Sequence, residues 1–401
     1  MNGTDAALLR RVGEDEVRGG RRSAIDADTL AGASEIVERV RREGGAGVRA
    51  YAERFGERAP GEALVLGRAA MRAALEALDG CIRAVLERTG DRIRAFALAQ
   101  RSAIRDVDVP IPGGRAGHTV EPIAAVGCYA PAGRYPLPSS VLMTAVTARA
   151  SGCERVVVAS PGAHPAMVAA AAIADADEFL AVGGAHGVAA LAYGFDGFDP
   201  VDFVVGPGNR WVTAAKHLVS GAVGIDMLAG PSELLVVADE SADAALVAAD
   251  LLAQAEHDTD AVPMLITICP RLVEGVEREL ARQLATLTTA PTARRALANG
   301  FACVVGSLDR AIELADRVAP EHTEIMTRDP SETAALRHAG RSSSARTRRR
   351  CSATTAAALA TTRCPPAEGR RGSAPGLSVA LLHVRDEDAD RRPGRRIELD
   401  R

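Results

Sequence analysis

Gln254 and His257 stand three residues apart in the run Gln254-Ala255-Glu256-His257, and Glu321-His322 follows Pro320 further along the chain. On a helix the first two share a face. A neutral imidazole nitrogen and an amide oxygen can ligate one zinc ion, but two ligands do not complete a tetrahedral site. A Gln and a His satisfied by hydrogen bonds at a helix end account for the same spacing. A carboxylate beside an imidazole supplies two proton-transfer groups at one place, with the imidazole titrating near neutrality. Neighbouring side chains need not point the same way, so an exposed Glu-His pair without chemistry is the competing reading.

Such residues need elements to position them. Residues 1–110 read as mostly helical: Ala33–Phe55 and Ala69–Leu98 carry apolar residues at three- and four-residue spacing. Asp26, Asp28 and Ser34 offer helix starts. From about Glu121 the pattern changes to short apolar runs, Ile123–Cys128, Val156–Ala159, Phe203–Val205, Leu234–Ala238 and Met264–Ile268, separated by stretches of helical length such as Pro165–Ala174 and Ala242–His257. Buried strands alternating with helices imply an α/β fold with parallel sheets. In such sheets, ligands bind at the carboxyl ends of strands. Four Gly-rich turns are expected to follow strands: Pro131-Ala132-Gly133-Arg134, Gly183-Gly184-Ala185-His186, Gly206-Pro207-Gly208-Asn209 and Gly230-Pro231-Ser232-Glu233. None is a G-x-G-x-x-G or P-loop fingerprint. Together they amount to the loops of one mononucleotide-binding domain.

The 401 residues are enough for two or three domains, with 47% apolar and 25% charged residues as in soluble globular proteins. A net charge of −4 gives no global attraction to nucleic acid or anionic membrane. No apolar run approaches the ~20 residues of a membrane span. The N-terminus is too charged for a signal peptide, so a cytoplasmic location is expected. Seven scattered cysteines without a C-x-x-C pair argue against a disulfide framework or a thiolate zinc cluster. Lys216 is the single lysine among 48 basic residues.

From about Val126 to Thr327 the chain resembles the histidinol dehydrogenase family. The collinear segments are Val126-Gly127-Cys128-Tyr129-Ala130-Pro131, Ser139-Ser140-Val141-Leu142-Met143, Gly206-Pro207-Gly208-Asn209, Ile225-Asp226-Met227-Leu228-Ala229-Gly230-Pro231-Ser232-Glu233, Gln254-Ala255-Glu256-His257 and Pro320-Glu321-His322. The resemblance implies two Rossmann-like parallel-sheet domains, one inserted in the other, with a helical N-terminal region. The expected bounds are an arm at 1–22, a discontinuous domain at 23–125 plus 234–340, and an inserted domain at 126–233. It implies a cytoplasmic homodimer that oxidises L-histidinol through the aldehyde to L-histidine with two NAD. Gln254 and His257 would be zinc ligands, the zinc holding the substrate's nitrogens rather than activating water. His322 would be the base and also contact substrate, Glu321 would activate water, and Ser232 would touch substrate. Tyr129 and Asn209 fall at dinucleotide-contacting positions. His186 stands where a common form of the family has glutamine. The segment Ser139–Met143 favours histidinol over other polar alcohols as substrate. A dehydrogenase of another polar alcohol and an inactive dinucleotide-binding remnant are the alternatives.

Beyond Gly340 the resemblance stops. The family's Gly-Asp-Tyr segment is absent from 341–401, and His383 is the only histidine there. The run Arg346–Arg350 can be read as a basic patch, and the region as a disordered tail. A third reading is a shift of reading frame near Gly340. Suitable codons for 341–355, read one base earlier, give Val-Phe-Leu-Gly, then His, then Val-Leu-Gly-Asp-Tyr. On that reading the zinc site of this chain is half-built.

Overall fold

Each of the two long helical runs expected near the N-terminus folds as a pair of helices in the computed structural model. The structure describes residues 7–17, 25–132, 136–228, 232–329 and 336, and the strand backbone at 341–344, 363–364, 374–375 and 382–385. After strand β1 (Arg10–Val12) come helices α1 (Ala27–Glu43) and α2 (Gly45–Arg54). The Asp26 carboxylate caps α1, accepting the Thr29 N–H at 2.8 Å and the Thr29 hydroxyl at 2.6 Å. Gly44, at φ +53°, separates the two helices in a conformation that favours glycine. Strand β2 (Val65–Gly67) leads to α3 (Arg68–Glu76) and α4 (Gly80–Ser102). Asp79 starts α4 by accepting the N–H groups of Cys81 and Ile82 at 2.9 and 3.1 Å. Strands β3 (Val107–Ile111) and β4 (Gly114–Pro122) form an antiparallel hairpin that the apolar spacing did not show.

The alternating part follows: β5 (Ala125–Tyr129), α5 (Pro138–Val141), a π turn (Leu142–Val146), α6 (Thr147–Ser151), β6 (Arg155–Ala159), α7 (Pro165–Ile173), β7 (Glu178–Leu180), α8 (Gly184–Tyr193), β8 (Phe203–Val205), α9 (Arg210–Val219) and β9 (Gly224–Ile225). Next are β10 (Glu233–Ala238), α10 (Ala244–Ala255), β11 (Val262–Thr267), α11 (Pro270–Leu284), α12 (Ala290–Leu297), β12 (Phe301–Val304), α13 (Leu308–Val318) and β13 (His322–Met326). Short strands β14 (Arg341–Ser344), β15 (Arg363–Cys364), β16 (Ala374–Pro375) and β17 (Leu382–Arg385) fall in the region beyond the resemblance. The rest of that region, including Arg346–Arg350, lies outside the described residues.

The chain forms two units, the first of Met1–Glu38, Pro207–Ser220 and Ile225–Gly376, the second of Arg39–Gly206, Gly221–Gly224 and Leu377–Arg401. Residues 39–125, expected to go with 234–340, are grouped here with 126–206. The reason is local: β2 pairs antiparallel with β7, and Gly90 of α4 lies so close to α7 that an added Cβ would stand 3.1 Å from Ile173.

The first unit's sheet has the order β1-β12-β11-β10-β13-β14 and is parallel throughout. Alternate residues of β10 go to opposite faces. Leu234, Val236 and Ala238 pack with Leu251, Val276 and Leu280, whereas Leu235 and Val237 pack with Leu314 and Ile325. The second unit's sheet has the order β2-β7-β6-β5-β8-β9, parallel from β7 to β8. Both contain one topology: three strands added outward, then a fourth on the far side of the first. Beside the second sheet, β17 pairs with the free edge of β4. Among the described residues no helix is long and apolar enough to cross a membrane.

Candidate active site

Parallel pairing puts the amino ends of the first unit's strands on one edge, with Glu233 opposite Val262 and Leu234 opposite His322. The helix after a strand in a parallel sheet runs back to the amino edge before the next strand begins. Helix α10 therefore brings its last turn, with Gln254, and the following His257 to the edge where Ser232, Glu321 and His322 lie. The turn at Ser232 precedes its strand rather than following one, a correction to the expected loop order; Gly230 and Pro231 lie outside the described residues.

Gln254 is buried and His257 exposed, and the His257 N–H donates to the Gln254 carbonyl at 3.3 Å. The Ser232 carbonyl accepts the Val262 N–H at 3.0 Å, tying that residue to the start of β11. The Glu321 Oε1 is 3.6 Å from His322 Nε2, beyond hydrogen-bond length, and both side chains remain about one-third exposed (32% and 29%). Despite that exposure, desolvation by the protein packed around it pushes the Glu321 carboxyl above its ordinary value, against a hydrogen bond from the Glu233 backbone and the charge of His257. Glu321, His322, His257 and the Ser232–Glu233 turn thus form one cluster. A carboxyl shifted toward neutrality beside an imidazole can exchange protons with a bound molecule.

In the second unit the strand order reverses between β5 and β8, which makes their carboxyl ends a switch point. Tyr129 ends β5, and Gly206 follows β8 at φ +119°. A Cβ on Gly206 would stand 2.0 Å from the Tyr129 carbonyl oxygen, so only glycine lets the two loops approach this closely. The Tyr129 side chain is buried, and its hydroxyl accepts the Gly184 N–H at 3.0 Å. Burial raises the phenol far above its ordinary value, the Gly184 N–H opposing and the nearby Glu57 carboxylate adding to the shift. His186, only 1% exposed, packs against the rings of Tyr51 and Phe55 at 5.8 and 5.5 Å. Its Nε2 lies 2.8 Å from Glu57 Oε2, which also accepts the Gly183 N–H at 3.1 Å. Gly133 and Arg134, in the loop after β5, lie outside the described residues. Asn209, counted with the first unit, caps α9, its Oδ1 accepting the N–H groups of Trp211 and Val212 at 3.0 and 3.2 Å.

Gln254 and His257 are the two residues expected to ligate zinc, and among the described residues no group of three or more His, Cys, Asp or Glu side chains could hold a metal ion. A catalytic zinc takes three protein ligands and a structural one four, so the described residues do not fit zinc. Among the described residues the cysteines do not fill the gap. Cys128, Cys153 and Cys303 are buried, and burial pushes the Cys153 thiol up to about 11. His383 stands on β17, paired with Glu121 of β4 in the second unit.

Two features escaped sequence reasoning. Glu57 follows the end of a helical run and carries no motif. Lys216 was visible as the only lysine, but its buried pairing with Asp226 was not.

A sequence model described as histidinol dehydrogenase matches residues 20–346. The histidinol dehydrogenase of Thermus thermophilus is 45% identical over 298 residues, covering 74% of this chain and 71% of that protein. Histidinol dehydrogenase homolog 1 of Mesorhizobium japonicum is 40% identical over 301 residues, covering 74% of this chain and 60% of the relative, so the match spans less than two thirds of that protein. A crystal structure of histidinol dehydrogenase from Elizabethkingia anophelis has the same fold, with a TM-score of 0.83 and 24% identity over 95% of this chain and 90% of that one. With the family matched over most of its length and the expected α/β architecture present, this chain belongs to the histidinol dehydrogenase family.

Proposed function

We propose that this chain derives from, and retains the main parts of, a cytoplasmic homodimeric enzyme that oxidises L-histidinol through the aldehyde to L-histidine. The observation that carries this reading is the Glu321–His322 pair at the amino edge of the first sheet, beside His257 and the Ser232 turn. In the first step His322 takes the hydroxyl proton as the carbinol hydride leaves. Water then adds to the aldehyde with its proton passing to Glu321, a carboxyl that burial has made a stronger base, while the new alkoxide takes back the proton held by His322 and frees the imidazole for the last step. Loss of a second hydride, with the remaining hydroxyl proton passing to His322, gives the acid. Ser232, Gln254, His257 and His322 would contact the substrate.

NAD fits the second unit's switch point, where Gly206 admits close approach of two loops and the buried His186 Nδ1 has no partner. Tyr129 and His186 would hold it, and when bound it supplies the hydride acceptor for both steps. Zinc is different. The described residues give it two donors, Gln254 and His257, and none of the steps above uses it. The family match ends at residue 346, close to the point where the frame reading places the break. We therefore infer that the chain holds zinc poorly and has low activity until the segment beyond Gly340 is restored.

Zinc content and histidinol-dependent NADH formation, measured on one purified sample, test this. The expected result is little of either, with both recovered when the frame near Gly340 is repaired. About one zinc per chain with full activity would refute the incomplete site. Turnover of a different polar alcohol in preference to histidinol, by the repaired chain, would refute the substrate.

A further inference from the structure

The Glu57 carboxylate is the least expected member of the second unit's site, and its contacts have a defined polarity. Oε2 receives the Gly183 N–H at 3.1 Å and faces His186 Nε2 at 2.8 Å. A carboxylate only accepts, so this contact calls for a proton on His186 Nε2. In the neutral imidazole Nδ1 is then the acceptor, and this buried atom has no partner. Its neighbour on one side is Gly184, where an added Cβ would stand 3.4 Å away and where φ is +54°, so no side chain fills that space. The Gly184 N–H is committed to the Tyr129 hydroxyl. A buried acceptor without a donor is uncommon in folded proteins and calls for a specific explanation.

We infer that Glu57 is a positioning residue of the dinucleotide site. By holding the Nε2 proton of His186 it fixes Nδ1 as an acceptor, to be met by a hydroxyl or amine hydrogen of the bound dinucleotide and not by a phosphate oxygen. The inference rests on the dinucleotide reading of the second unit. A histidine at this position differs from a glutamine in what it requires of its neighbours. A glutamine amide carries donor and acceptor on one rotatable group and needs no carboxylate to assign them, whereas a neutral imidazole presents one polarity at each nitrogen. Glu57 itself touches no reacting atom. It acts through His186 and through the Gly183–Gly184 backbone, from a loop 129 residues away in sequence.

The test uses the full chain, with NADH as the probe. Nitrogen NMR of the imidazole groups, with His186 assigned by its loss in His186→Gln, should show the His186 proton on Nε2. NADH affinity, read by fluorescence titration, should fall about tenfold in Glu57→Ala, the scale of one buried hydrogen bond. In the His186→Gln background the same change should cost no more than about twofold, since the amide assigns its own polarity. Glu57→Gln keeps the shape of the side chain but lets the partner donate as well as accept. It should give a mixed tautomer and an intermediate affinity, even where Glu57→Ala folds poorly. An equal penalty for losing Glu57 in both backgrounds, or a proton on Nδ1 in the parent chain, would overturn the role given to Glu57 alone. A parent chain that binds no NADH would overturn the dinucleotide reading and this role with it.

Discussion

Lys216→Met should be among the most damaging single substitutions in the first unit. Lys216 lies on α9 with its side chain 3% exposed and paired with Asp226, itself 12% exposed. The same carboxylate accepts the Met227 N–H at 2.6 Å, so the pair fixes the start of the segment leading into Ser232. Methionine fills the space of the aliphatic stem but removes the charge, so the Asp226 carboxylate loses the Lys216 cation. Breaking one side of a buried pair costs about 3–5 kcal/mol, because desolvation is no longer offset. A cooperative unit of this size loses about 2–4 °C in Tm per kcal/mol, so the expected fall is roughly 6–20 °C. The assay is calorimetric melting of the full chain at neutral pH, where a unit that melts separately shows its own transition. Lys216→Met combined with Asp226→Asn removes both charges and keeps an oxygen for the Met227 N–H, so most of the lost Tm should return. If Lys216→Met melts within about 2 °C of the parent, or if the double variant is no more stable than the single, the desolvation argument is wrong.

Three further outcomes follow from the same geometry. The Glu321 carboxyl titrates above its ordinary 4.5, so the stability tied to its protonated form is complete below that pH and is lost as pH rises through the raised value. Glu321→Gln should therefore match the parent's Tm at low pH and exceed it near neutrality; a difference that does not change with pH counts against the assigned burial. Gly206→Ala places a Cβ 2.0 Å from the Tyr129 carbonyl at a φ of +119°, and strain of about 1–3 kcal/mol plus displacement of the loop should lower Tm and weaken NADH binding together. An alanine variant that melts and binds like the parent would show that the loops do not meet as described. The Asp239 carboxylate is driven up by burial, but hydrogen bonds from Ser241 and the Arg328 N–H outweigh this and leave it below its ordinary 3.8. Its stability contribution is present above 3.8 and lost as pH falls through the lowered value, so Asp239→Ala should cost about 1–3 kcal/mol at neutral pH and progressively less in acid. A penalty that persists undiminished in acid would place its cause elsewhere.

The strands that could be read in advance were those built from uninterrupted apolar runs. Phe203–Val205 is β8 with unchanged bounds, and Leu234–Ala238 gains only Glu233. Strands β12 and β13 were not read. The first, Phe301–Val304, is an apolar run no shorter than others that were read and was overlooked, whereas the second alternates Thr323 and Ile325 with His322 and Glu324 and presents no apolar run. The helical runs were right in kind and wrong in continuity, because apolar spacing carries through the break at Gly44, where the backbone turns left-handed. The site shows the same division. Gln254, His257, Glu321 and His322 were visible as residue types, and the return of α10 brings the first two to the edge where the other two lie. The Glu57–His186 contact was not legible, because a single carboxylate from a distant loop leaves no periodicity or spacing behind.

The two sheets share one strand order, yet the chemistry proposed for them lies on opposite edges, and the difference can be traced to a few residues. Strand order alone marks a place at the carboxyl ends, between β5 and β8 in the second unit and between β10 and β13 in the first. In the second unit that place is opened by a glycine: Gly206 has no side chain to collide with the Tyr129 carbonyl. In the first unit the corresponding place is closed by a carboxylate. Asp239, just past β10, accepts the Ser241 N–H at 2.8 Å and the Ser241 hydroxyl at 2.5 Å, and takes the Arg328 N–H from beyond β13 at 2.8 Å. Those bonds consume the donors that would otherwise face a ligand. The opposite edge is left with what α10 brings back, a buried amide, an imidazole and the carbonyl end of a helix, whose partial negative charge favours a cation or a protonated base. A shared topology thus offers the same crevice twice, and the choice between Gly206 and Asp239 decides which one remains available.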